Sequence, residues 1–139
     1  MGRTAGGRKG PLTTGEGHDQ VVGRRGEGLA AEYLERLGWT ILDRNWRCPA
    51  GELDLVALEP GPDARDCVVF VEVKCRTGIG YGDPLEAITV AKVSKLVELS
   101  RLWLRSHDVR APRVRIDGVG VLDVRGRRPE IAHAKGITQ

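Results

Sequence analysis

A chain of 139 residues is long enough for one domain and too short for two. With 40% apolar and 29% charged residues it reads as an ordinary soluble globular protein, and no stretch approaches the roughly 20 apolar residues of a membrane span. The net charge is only +3, which excludes a uniformly polybasic chain, but it is unevenly placed. Arg3, Arg8, Lys9, Arg24 and Arg25 crowd the start, and Arg105, Arg110, Arg113, Arg115, Arg125, Arg127 and Arg128 crowd the last third. Such clustering suits a polyanionic partner, and equally a solvated basic surface. Cys48, Cys67 and Cys75 fit neither a disulfide framework nor a CxxC spacing, and His18, His107 and His133 are scattered, which argues against structural zinc. Met1 to Gln20 lacks the apolar segment of a secretory signal, so the cytoplasm is the expected location.

In chain order, residues 1–20, rich in Gly, Thr and Arg, are expected to form a disordered basic tail, leaving 21–139 as a single domain. A helix is predicted from Arg24 to Leu37, with Leu29, Ala30, Tyr33, Leu34 and Leu37 at apolar positions and Gly38 ending it. A strand from Trp39 to Trp46 is turned back by Pro49-Ala50-Gly51 into a second from Glu52 to Leu58, which Pro60-Gly61-Pro62-Asp63 closes. A long strand takes Cys67 to Arg76. After the glycine-rich loop Thr77 to Gly82, a second helix is predicted to run to Arg105. Its start signals are Asp83 as N-cap, Pro84 at the first position and Glu86 completing a capping box. A last strand covers Val114 to Val124, with a short edge piece around Ile131. Three strands in succession within the order α-β-β-β-α-β predict an α/β fold, a mixed β-sheet flanked by helices.

Alternate strand residues point to opposite faces, so the long strand can be split into two sets. Cys67, Val69, Val71, Val73 and Cys75 are apolar throughout, whereas Val68 and Phe70 give way to Glu72, Lys74 and Arg76. Taken alone, Glu-x-Lys is ordinarily an ion pair or a solvated strand end. Asp54, on one face with Val56 and Leu58 in the preceding strand, alters that reading, because pairing of the two strands would bring it to Glu72. Two carboxylates about 4 Å apart repel by roughly 4 kcal/mol at an effective dielectric of 20, and a hard divalent cation removes that cost. Lys74 would then orient an attacking water or steady the phosphorus. Glu27 lies a heptad before Leu34, over Ala30 and Ala31, and so faces inward. Lys92 lies between Ile88 and Leu96, with Leu85 and Leu99 a heptad to either side. A single lysine in such a stripe usually snorkels to water; two inward helix charges beside three inward strand charges favour one shared polar site.

Gly26-Glu27, Arg44-Asn45-Trp46-Arg47, Gly51-Glu52-Leu53-Asp54, Phe70-Val71-Glu72-Val73-Lys74-Cys75-Arg76, Tyr81-Gly82-Asp83-Pro84 and Lys92 together resemble the YraN family. These are small bacterial proteins regarded as endonucleases and distantly similar to archaeal Holliday junction resolvases. The resemblance runs from about Gly23 to Val124. It implies a restriction-endonuclease-like core of the PD-(D/E)XK type and a DNA substrate, with branched or junction structures among the candidates. It further implies Mg²⁺, with Mn²⁺ as a substitute, held by Asp54, Glu72 and the carbonyl of Val73. Lys74 would be the catalytic lysine, and Glu27 and Lys92 auxiliary site residues. A homodimer follows only from the analogy, since symmetric junction cutting needs two sites. The competing expectation is a non-catalytic nucleic-acid-binding module of the same fold. Asp117, after Arg115-Ile116, matches the family's last-strand motif and is as readily a structural hydrogen-bond acceptor. The loop Gly78-Ile79-Gly80-Tyr81-Gly82 lacks nucleotide-binding spacing. It is either a plain turn or a loop whose amides and Tyr81 contact nucleic acid.

Overall fold

In the computed structural model, which describes residues 14–78 and 82–138, a single five-stranded sheet orders the chain. Strand β3 (Cys67–Arg76) is central because both of its faces are apolar for most of its length, so each must be covered. Beside it on one side are β2 (Gly51–Glu59) and then β1 (Thr40–Cys48), joined as antiparallel hairpins. On the other side are β4 (Arg113–Leu122), parallel to β3, and β5 (Glu130–Ala134), antiparallel to β4. The parallel pair requires a crossover, which α2 (Val90–His107) supplies; α1 (Thr14–Arg36) precedes the sheet. The sheet is thus mixed and carries a helix on each face, as the α-β-β-β-α-β order predicts.

The two sets of β3 side chains part as expected. Val69 and Val71 pack with Ala30, Ala31 and Leu34 of α1, whereas Val68 and Phe70 pack with Leu96, Leu99 and Trp103 of α2. Gly38 takes φ +92 just beyond α1, a left-handed turn that a glycine adopts without strain.

Two expectations need correction. Residues 14–20, expected in the N-terminal tail, belong to α1; residues 1–13 lie outside the described residues. Once packing holds the second half of a helix, each added residue brings a hydrogen bond without a new nucleation cost, so α1 can run through a segment whose sequence has no apolar stripe. The second predicted helix is in fact two pieces. Pro84–Ala87 forms a 3₁₀ turn with the expected Asp83/Glu86 capping box, Ile88 is extended (φ −89, ψ 101), and Thr89 recaps the chain by accepting the Lys92 N–H. The β-branched run Ile88-Thr89-Val90 resists helix, and the Thr89 hydroxyl offers the backbone a cap instead. Ile79, Gly80 and Tyr81 of the glycine loop lie outside the described residues, and with them the nucleic-acid contact expected of Tyr81.

Asp117 is a structural acceptor. Fully buried, it receives two bonds from Arg115 (2.7 and 2.9 Å), one from the Gly136 N–H (3.0 Å) and a contact with His133 Nε2 (2.8 Å). The Tyr33 hydroxyl meets His133 Nδ1 at 3.0 Å, and Arg115 also binds Glu59 at 2.7 Å. This network staples β5 and the segment after it to α1 and the sheet.

Candidate active site

Strands β2 and β3 pair from Glu59–Cys67 to Leu55–Val71 and then separate. One step further the register would set Asp54 against Glu72. Instead Asp54 Oδ2 accepts the Val73 N–H at 2.8 Å, so a side chain closes the ladder where backbone pairing stops. On its other side β3 stays with β4, placing Glu72 beside Gly118 and Lys74 beside Gly120. Those glycines are needed for space. A Cβ on Gly118 would lie 2.9 Å from Ile88 Cδ1, and one on Gly120 3.1 Å from Leu85 Cγ. The 3₁₀ turn thereby docks directly on the sheet and brings the first turn of α2 to Glu72. There Lys92 Nζ stands 3.3 Å, and Lys74 Nζ 3.4 Å, from Glu72 Oε2. Glu72 itself is nearly fully buried.

Helix α1 supplies the last expected member. A Cβ on Gly26 would come 2.7 Å from Cys75 Cβ, so the helix approaches β3 as closely as a glycine allows. Glu27, next in the chain, is half-buried and close enough to Asp54, Asn45, Glu52 and Glu72 for each of them to act on its carboxyl group. Glu27, Asp54, Glu72, Lys74 and Lys92 therefore converge, drawn from α1, β2, β3 and α2. Lys92 was expected here from a continuous helix that the structure does not contain, yet it reaches the site from the recapped first turn. Val73 lines the same cleft, and its N–H is engaged by Asp54.

Three further residues belong here. Lys95 and Glu52 line the cleft, which has a volume of about 300 Å³ and is backed by Leu96 and Leu99. Lys95 follows Lys92 at i+3, and Glu52 precedes Asp54 by two in a strand; both spacings are visible in the sequence. Asn45 sits across from Asp54 in the β1–β2 register, at φ +52. Asparagine tolerates the left-handed region better than most residues, but nothing local shows that a mid-strand position will adopt it.

The electrostatics are those of crowded carboxyls. Asp54 is pushed up to about 8, first by burial and then by the Glu72 charge, against the lowering effect of the Val73 N–H. Glu27 is also raised, by burial, then by the charge of Glu52, with Asp54 and Asn45 hydrogen bonds opposing. Lys92 is raised, chiefly by the Glu72 charge. Among the described residues no three Asp, Glu, His or Cys side chains form a ready-made metal cage. Mg²⁺ does not require one: it commonly takes one or two carboxylates and fills its remaining positions with water and substrate phosphate. A buried pair, Asp54 and Glu72, whose mutual repulsion raises a carboxyl toward neutrality, fits that mode of binding.

A family described as "Uncharacterised protein family UPF0102" matches residues 26–121. The chain belongs to that family. UPF0102 is the YraN family that the motifs resemble, and the matched span includes all five converging residues. The chain is 47% identical over 117 residues to a UPF0102 protein of Arthrobacter sp. (strain FB24), covering 84% of this chain and 95% of that one. It is 50% identical over 116 residues to one from Mycobacterium avium (strain 104), covering 84% and 88%. A third, from Clavibacter michiganensis, is 50% identical over 113 residues, covering 81% and 92%. Among the described residues, no helix is long and apolar enough to cross a membrane.

Proposed function

We propose that this UPF0102 chain is a metal-dependent endonuclease that hydrolyses DNA phosphodiester bonds in the cytoplasm. One observation carries the reading: Asp54 and Glu72 meet where β2 and β3 separate, in an open cleft, with Lys74 and Lys92 on the same carboxylate. Asp54, Glu72 and the Val73 carbonyl would hold Mg²⁺ or Mn²⁺, which when bound supplies Lewis-acid stabilisation of phosphate charge. Lys74, mostly buried on the cleft wall, stabilises the charge that grows on the phosphoryl oxygens during attack. Lys92 reaches the same Glu72 oxygen from α2 and, together with Lys74, holds the Glu72 carboxylate in place. Glu27, with its raised affinity for a proton, is suited to accept one from water or to position that water through Asp54. The Leu96 and Leu99 wall lowers the local dielectric and strengthens each of these interactions.

The test is a panel of branched, flapped, single-stranded and duplex DNA incubated with Mg²⁺ or Mn²⁺. Wild type should cut at least one member, while Glu72→Ala and Lys74→Ala should bind it and lose at least about a hundredfold in rate. Binding without cleavage of any substrate by wild type would make the chain a non-catalytic module. Light scattering of the active preparation distinguishes a monomer from the dimer that paired junction cuts require.

A further inference from the structure

A second cleft, of about 380 Å³, lies just past the C-terminal end of β3 and is built by three elements. Arg25 enters from α1, Thr77 follows the last residue of β3, and Arg125 and Arg127 come from the tight turn after β4. The geometry is held by hydrogen bonds, so the arginines stand on a fixed frame. Arg25 is ion-paired with Asp123, the Asp123 N–H donates to the Arg76 carbonyl at 2.8 Å, and the Arg127 N–H donates to the Val124 carbonyl at 3.0 Å. Gly126, at φ +82, lets that turn close so tightly that its two flanking arginines share one tip. Arg125 and Arg127 are exposed, and Asp123, occupied with Arg25, is the one acid among the lining residues.

We infer that this cleft binds the phosphodiester backbone of the nucleic acid whose cleavage is proposed above, beyond the bond to be cut. The inference rests on that reading for its substrate class and adds a separate site for it. The cleft and the carboxylate site share two elements: α1 carries both Arg25 and Glu27, and β3 leads from Glu72 directly to Thr77. At strand rise, Thr77 lies about 16 Å along the chain from Glu72. A duplex advances about 3.4 Å per base step, so a cleft just past the end of this strand suits phosphates a few steps from the bond to be cut. Guanidinium groups suit this task because their planar fork grips phosphate oxygens in pairs. Contacts with phosphates position a substrate without reading its bases.

The experiment measures equilibrium binding of a fluorescent duplex of about 20 base pairs, in DNA and RNA forms, from about 50 to 200 mM salt without divalent metal. Arg125→Ala/Arg127→Ala should weaken binding about tenfold and reduce the salt slope by about two, while Arg125→Lys/Arg127→Lys should largely restore the slope. Arg105→Ala/Arg110→Ala removes the same charge from exposed positions at the other end of α2 and beyond it, and should leave binding near wild type. An unchanged slope in the first variant, an equal loss in the control, or no salt-dependent binding by wild type overturns the inference. Cleavage assays on the same proteins separate the two ideas. Loss of the slope without any cleavage by wild type leaves this site standing and removes the nuclease; cleavage with an unchanged slope does the reverse.

Discussion

Asp54 serves two purposes with one carboxyl group: it ends the β2–β3 ladder by accepting the Val73 N–H, and it presents negative charge beside Glu72. The first purpose stabilises the fold and the second opposes it. Because the folded carboxyl is raised from 3.8 to about 8, its stabilising contribution is complete below about pH 4 and is lost as pH rises through 8. Asp54→Asn keeps an acceptor for Val73 and removes the charge. In metal-free buffer at pH 8 this variant should be more stable than wild type by about 1 kcal/mol in urea unfolding, with the gain shrinking toward pH 4. It should also be inactive in cleavage. If Asp54→Asn proved less stable than wild type at pH 8, the crowded carboxyls would carry no strain.

Each element reaches the site through a specific close contact. β3 was legible to its end residues, because an unbroken apolar run from Cys67 to Val71 passes into an alternation of Val73 and Cys75 with Glu72, Lys74 and Arg76. The second helix was not, because capping signals at Asp83 and Glu86 describe where a helix starts and say little about whether it survives Ile88-Thr89. The local resistance of Ile88-Thr89-Val90 to helix is joined by a cause distant in sequence: Gly118 and Gly120 make room for Ile88 and Leu85. Gly26 performs the same service for α1 against Cys75. In Gly26→Ala the new methyl group must push α1 away from β3, carrying Glu27 with it. The expected cost is about 1–3 kcal/mol in stability, accompanied by a loss of cleavage rate that exceeds any loss of DNA affinity. Wild-type stability and activity in this variant would mean that α1 has slack the packing does not suggest.

For the molecule as a whole, the C-terminal part of the chain is held by one buried charge network. Burial alone would raise Asp117, but hydrogen bonds from His133, Arg115 and the Gly136 N–H outweigh it and hold the carboxyl down to about 2. A carboxyl depressed from 3.8 contributes stability that is present above about pH 4 and is lost as pH falls toward 2. The expected contribution is about 2 kcal/mol. Measured by urea unfolding, the difference in stability between wild type and Asp117→Asn should therefore narrow by about that amount between pH 5 and pH 2. A difference independent of pH would show that the Asp117 charge is not what binds β5 to the sheet.

Local pattern determined the order of the strands, the two faces of β3, the capping box and the inward charges Glu27, Asp54, Glu72 and Lys74, since each of these follows from periodicity or from residue chemistry within one segment; Lys92 reaches the site by another route than its predicted helix. Family resemblance added the fold type. Tertiary structure alone decided that Asp54 would close a ladder, that Asn45 would take a left-handed conformation across from it, and that Arg25 would meet Arg125 and Arg127 on one surface. These are contacts between segments far apart in the chain, and they are set by strand register and helix docking, which no local window of residues specifies.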